Sequence, residues 1–277
     1  MLALIGLAGL LDTLRHADAR VATVAWRLQT ANVADCRDTA PLPGFSIDML
    51  DQYRDSERAE AQATLALREW PQISAVVPGS AAAKAGIRVG DEIVAVNDVP
   101  MPRAQGGRPS YERTALAAAA ITAGLARPPA KLGLRARTVY ISGDPGCKSE
   151  VQLVPGPRLD AQADGHYVRL SGAMYEFTTN DAELAFAVAH ELAHNLFPEA
   201  HRVAGGGKRQ RAAELAADRL AIAMMARAGY DTGAVIPLLE RLARRRRLSW
   251  LDGTHPAWQP RIAAAAAAVA AFSAPAR

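Results

Sequence analysis

Ala189-His190-Glu191-Leu192-Ala193-His194-Asn195 is the stretch on which the rest of the chain turns. It lies in a helical pattern, and positions four apart on a helix stand on one face. The imidazoles of His190 and His194 can therefore reach a single ion, with Glu191 beside a water bound to it. This spacing predicts a zinc site of the kind used in metal-assisted hydrolysis. Asn180 and Glu183 have the spacing of a capping box, which starts the helix near Asp181, and Pro198 stops it.

Two histidines leave a third protein ligand to find. A metzincin would carry Gly and His where this chain has Phe197 and Ala200, which argues against that class. Lys208 to Ala228 reads as a second helix on which Glu214 and Asp218 share a face one turn apart. Glu214 is the expected third ligand, and Asp218 is placed to accept the free ring N–H of a metal-bound histidine. Gly205-Gly206-Gly207 between the two helices reads as a mobile loop able to gate a cleft.

His190-Glu191-x-x-His194 followed by Glu214-x-x-x-Asp218 resembles the gluzincins. The flanking text is similar to the family holding the HtpX heat-shock protease and the CAAX prenyl endopeptidase. Further matches are Ala161-Gln162-Ala163-Asp164-Gly165, Asp181-Ala182-Glu183-Leu184-Ala185, Thr254-His255-Pro256 and Arg261-Ile262, so the resemblance spans about residues 150 to 265. One departure is Asp160, where that family usually has Asn. The resemblance implies an α+β, zincin-like peptidase carrying one Zn2+ per chain on His190, His194 and Glu214, with Glu191 as general base. It also brings His255 toward the active site, where an imidazole would stabilise an oxyanion or simply hold the turn. Arg261 is expected to pair with a carboxylate of the core.

Between Pro41-Leu42-Pro43-Gly44 and about Ser142 the text changes character. Pro71 to Val77 reads as a strand, Pro78-Gly79-Ser80 as a turn, Ala81 to Ala85 as a short helix closed by Gly86, and Asp91 to Asn97 as a strand. From Ile73 to Asp98 this resembles a bacterial PDZ domain, which implies a groove-lining helix at Ser110 to Leu125, a closing strand at Lys131 to Ile141, and capture of extended protein or peptide substrates. The expected organisation is residues 1–19 as a signal peptide or N-terminal helix, 20–44 as the start of the peptidase, 45–142 as an inserted β-rich PDZ-like domain, and 143–277 as the zinc peptidase.

Arg20 to Leu28 alternates weakly and reads as a strand of the peptidase. His166 to Met174 reads as the strand flanking the cleft, with Ser171, Gly172, Ala173 and Met174 as substrate contacts through an exposed edge. Cys36 and Cys147 bracket the insertion, where one disulfide would staple its two ends. A bridge implies an oxidising compartment, periplasmic or secreted; two free thiols would suit the cytoplasm.

Half of the 277 residues are hydrophobic, enough for a good core, and no run is long enough to span a bilayer. The net charge of +4 owes most to arginine. The dense run Arg241-Leu242-Ala243-Arg244-Arg245-Arg246-Arg247 lacks interleaved aromatics, so it reads as a solvated helix end rather than a nucleic-acid surface. Two functional classes follow: a zinc endopeptidase that recruits substrate through its PDZ-like domain, and a catalytically weak, chaperone-like protein that holds chains without cutting them.

Overall fold

The computed structural model describes residues 7–200, 207–246 and 258–273. The fold is mixed α and β, and its contacts divide it into two compact units. The first takes the chain up to Trp26 together with Ala40–Gly146, and the second takes Arg27–Thr39 with everything from Cys147.

Helix α1 (Leu7–Ala31) opens the described chain. The strand expected over Arg20 to Leu28 is therefore helical. Val21, Val24, Ala25 and Leu28 are buried and recur at the helical period of 3.6, which prevails over the weak alternation. In the first unit Leu11 of this helix packs with Ala61, Leu65 and Leu67.

The remaining elements of the first unit are β1 (Thr39–Leu42), β2 (Phe45–Asp48), α2 (Asp55–Leu65), β3 (Gln72–Val76), α3 (Ala81–Lys84), β4 (Ile93–Val96), β5 (Val99–Pro100), α4 (Glu112–Leu125), β6 (Ala130–Leu134), β7 (Thr138–Ile141) and β8 (Asp144–Cys147). Strands β2 and β3 pair antiparallel, and a second sheet runs in the order β5-β4-β6-β7. Asn97 and Asp98 make the tight β4–β5 turn at φ +49° and +66°, a conformation Asn and Asp tolerate better than most residues. Ser80 caps α3 by accepting the Ala83 N–H at 3.2 Å. The single closing strand expected over Lys131 to Ile141 is instead the hairpin of β6 and β7, turning between Leu134 and Thr138. Phe45, Met49, Ile73, Ile93, Ile121, Leu125 and Leu132 form the core between these strands and α4.

The second unit contains β9 (Glu150–Val154), β10 (Ala161–Ala163), β11 (Tyr167–Ser171), α5 (Gly172–Phe177), α6 (Asp181–Leu196), α7 (Gly207–Arg227), α8 (Val235–Arg246) and α9 (Trp258–Ser273). Its sheet runs β10-β11-β9, with β11 parallel to β9 and antiparallel to β10. This corrects the edge expected at Ser171 to Met174. Strand β11 is central and ends at Ser171, whose hydroxyl accepts the Met174 N–H at 3.1 Å and so starts α5; Gly172, Ala173 and Met174 are helical. The edge beside the zinc-motif helix is β10. Cys36 and Cys147 form a disulfide with their Cα atoms 5.5 Å apart, and Gln29 donates to the Cys147 and Ser149 carbonyls at 2.8 Å each, tying Arg27–Thr39 into this unit. Among the described residues no helix is long and apolar enough to cross a membrane.

Candidate metal centre

Helix α6 starts where its cap directs. Asn180 Oδ1 accepts the Glu183 N–H at 2.9 Å. Glu183 returns not to Asn180 but to the Thr179 N–H at 2.8 Å, and its two oxygens take Arg241 of α8 at 2.8 and 2.6 Å. Arg241 is therefore a clamp on the start of α6 rather than part of a solvated helix end. A salt-bridge partner 58 residues away gives no local signal in the sequence.

The helix is buried from Glu183 to His194, and beyond the Glu183 at its start three polar side chains stand in this otherwise apolar stretch: His190, Glu191 and His194. Buried polar groups require partners, and those of the two imidazoles fix their tautomers. His190 Nδ1 donates to Asp218 Oδ1 at 3.0 Å, and His194 Nδ1 donates to the Ala200 carbonyl at 2.5 Å. Both Nε2 lone pairs then face inward, 3.2 Å apart. Glu214 of α7 meets them there, Oε2 at 3.3 Å from His190 Nε2 and Oε1 at 3.6 Å from His194 Nε2.

Three donor atoms, one from each of these residues, lie within 4.8 Å of one another, and all three residues are buried. Two ring lone pairs against a carboxylate in a low-dielectric setting repel unless positive charge sits among them. Burial pushes the His190 ring toward neutrality, but hydrogen bonds to Asp218 and Glu214 outweigh it and lift its pKa to about 9. Burial likewise opposes ionisation of Glu214, yet the His190 ring, with Arg261 and His194, holds its carboxyl far below the usual range. A cluster that recruits a proton this strongly is one a divalent cation can occupy, and two imidazoles with one carboxylate suit zinc with an open fourth position.

Arg261 of α9 completes the arrangement. Its Nε and Nη2 grip Asp218 at 2.5 and 2.8 Å, so the expected pairing of this arginine with a core carboxylate is seen with Asp218. Asp218, buried against desolvation, is kept ionised first by the Arg261 charge and then by the His190 hydrogen bond. A cleft of about 150 Å³ opens on the cluster. Asp160, Ala161 and Gln162 line one side, His190, Glu191 and Glu214 sit in its lining, and Met174, Phe186, Leu238, Leu242 and Trp258 supply apolar walls. These wall residues are not legible in the sequence, because helical apolar positions read as core whether or not a cleft reaches them. Of the expected substrate contacts, Met174 borders this cleft, whereas Ser171 lines a separate groove with Arg158 and Arg169. His255 and the loop residues Gly205 and Gly206 lie outside the described residues.

This is a metal-competent centre of the His-Glu-x-x-His type in an α and β unit. The model of peptidase family M48, whose members are metal-dependent metallopeptidases, matches residues 196–269, and the model of the PDZ domain, a peptide-binding module, matches residues 72–107. The first match begins beyond His194, so it includes Glu214, Asp218 and Arg261 and leaves His190, Glu191 and His194 as independent support. Together the two matches and the cluster support a metallopeptidase with a PDZ domain. No curated protein and no solved structure matches the chain at a significant level.

Proposed function

We propose that this chain is a zinc-dependent endopeptidase of the HtpX and CAAX-endopeptidase type, with a zincin-like catalytic domain at residues 143–277 and a substrate-recruiting PDZ-like domain at 45–142. The observation that carries this reading is the convergence of His190, His194 and Glu214 donors on one point, with Glu191 lining the same cleft. A zinc ion held by those three residues would lower the pKa of its bound water toward ~7 and polarise a scissile carbonyl. Glu191, which lines the same cleft, would serve as the general base toward a water there and pass the proton on to the leaving amine. Asp218, itself held by Arg261, keeps the His190 ring in the tautomer that presents Nε2. His255 is assigned, from the family resemblance, to the oxyanion.

Strand β10 supplies the surface for the peptide. Gln162 pairs across with Arg169, and the flanking hydrogen bonds Ser171 N to Asp160 O and Asp164 N to Tyr167 O show which residues of β10 face β11. By antiparallel alternation, the N–H and C=O groups of Ala161 and Ala163 point to the free edge, where an extended substrate adds as a strand. The apolar walls then favour a hydrophobic side chain next to the scissile bond. The disulfide fits a periplasmic or secreted location.

The test is Glu191→Gln in the full-length protein with an unfolded protein as substrate. The wild type should carry about one zinc per chain and cut, and the variant should keep the metal and lose cutting. Undiminished cleavage by the variant would sink the mechanism, and a zinc-loaded wild type that binds chains without cutting them would move the assignment to the chaperone-like class.

A further inference from the structure

Glu214 has two carboxylate oxygens, and the cluster does not treat them alike. Oε1 accepts a hydrogen bond from Gln210 Nε2 at 2.8 Å, whereas Oε2 lies nearer a ring nitrogen, 3.3 Å from His190 Nε2. Gln210 stands one turn before Glu214 in the first turn of α7, so helix geometry alone brings the amide to the carboxylate. Gln210 is half-buried, so water competes little for the bond.

We propose that Gln210 is a positioning residue that occupies Glu214 Oε1 and so restricts Glu214 to binding the metal through Oε2 alone. The inference rests on the metallopeptidase reading above and adds to it a reason for the coordination number. A carboxylate on a divalent ion is free to bind through one oxygen or two. A second oxygen would add a fifth ligand beside the water that a catalytic site holds in its fourth position. A neutral amide suits this role because it donates a hydrogen bond without adding a charge that would compete with the metal for Glu214.

The experiment uses Co2+ as the probe in the metal-stripped full-length protein, comparing wild type with Gln210→Met and Gln210→Ala. Methionine keeps the length and packing of glutamine but cannot donate. Four-coordinate cobalt absorbs visible light several-fold more strongly than five-coordinate cobalt, so the spectrum reads the coordination number directly. Both variants should bind one Co2+ and lose about half or more of the visible absorption. As zinc enzymes they should lose about tenfold in kcat, within the range for residues that orient a ligand, with KM changed less than about twofold. A Met variant with the wild-type spectrum and kcat overturns the proposal. So does a Met variant that matches wild type while the Ala variant fails, since that pattern belongs to packing. A wild type that binds Co2+ and hydrolyses peptides while Gln210→Met is unchanged removes only this inference; a wild type that takes up no Co2+ removes the metallopeptidase reading with it.

Discussion

At the scale of single residues, the site is a chain of charge running from Arg261 through Asp218 and His190 to Glu214. Each link has a different expected weight. Glu214→Ala removes a ligand, so zinc should be lost outright, whereas Asp218→Asn keeps the shape and should weaken metal affinity or activity by about 10–100-fold. Zinc analysis after dialysis separates them, and equal occupancy in wild type and Glu214→Ala would show the third ligand to be another residue. The cluster of His190, His194 and Glu214, with Asp218, was legible because helix geometry converts a spacing of four into a shared face. Gln210 was visible at the same spacing but carries no signature, since a glutamine one turn from a glutamate is ordinary on a solvated helix. A second residue-level prediction concerns Asp18, away from the metal. Burial, with the Asp48 carboxylate second, lifts the Asp18 carboxyl from 3.8 to about 7. The folded state therefore holds a proton that the unfolded chain has released. Below about pH 4 both states are protonated and nothing changes; as pH rises toward 7 stability falls, by no more than about 4 kcal/mol, and then levels off. Urea unfolding followed by tryptophan fluorescence should give a higher midpoint at pH 5 than at pH 8. Asp18→Asn should flatten that difference, and an unchanged pH profile in the variant would remove Asp18 as its source.

At the scale of elements, the outcome turned on which period and which edge prevailed. Over nine residues, Arg20 to Leu28 satisfies both a loose alternation and the i, i+3, i+4, i+7 pattern of Val21, Val24, Ala25 and Leu28, and only tertiary burial decides between them. Similarly, His166 to Met174 contains a strand, but whether a strand is central or at an edge depends on its neighbours in the sheet, which no local pattern encodes. Helix α6 was legible to within a residue because its cap, motif and proline stop are all local signals. The corrected edge makes its own prediction. If substrate adds to β10, Ala161→Pro deletes an outward N–H while leaving the bonds to β11 in place, a position where an edge strand tolerates proline. One hydrogen bond is worth about 0.5–1.5 kcal/mol, so kcat/KM for an extended peptide should fall by about 2- to 13-fold at unchanged zinc content. The control is Ser171→Ala, which touches the strand that the sequence pattern favours as the substrate edge. A loss confined to that variant would return the substrate to β11.

At the scale of the whole molecule, the chain carries a peptidase-like unit and a PDZ-like unit whose sequence boundaries differ from the simplest insertion. Leu11 packs with Ala61, Leu65 and Leu67, so removing residues 45–142 alone would strip the start of α1 of its apolar partners and confuse instability with lost function. The variant that respects the units begins at Arg27 and replaces Ala40–Gly146 with a Gly/Ser linker. What remains before the linker is held by Gln29 on the Cys147 and Ser149 carbonyls, by Asn32 on the Met224 carbonyl at 3.1 Å, and by the Cys36–Cys147 bridge. With the bridge holding Cys36 and Cys147 5.5 Å apart at Cα, only three residues from the Thr39 end, a linker of about six residues, at up to ~3.5 Å each, has ample reach. Every proposed ligand, Glu191 and the β10 edge stay in this variant. If the PDZ-like domain captures substrate without joining the chemistry, its loss should leave zinc content and small-peptide kcat/KM within about twofold. For a long unfolded protein the same loss should raise KM by tenfold or more, because tethering acts through effective concentration and removes binding shared by ground state and transition state. The reverse order of effects decides against tethering. Collapse of small-peptide turnover in a variant that is folded and zinc-loaded would mean that residues 40–146 shape the active site itself, and the PDZ-like unit would then be a part of the catalyst and not its substrate collector.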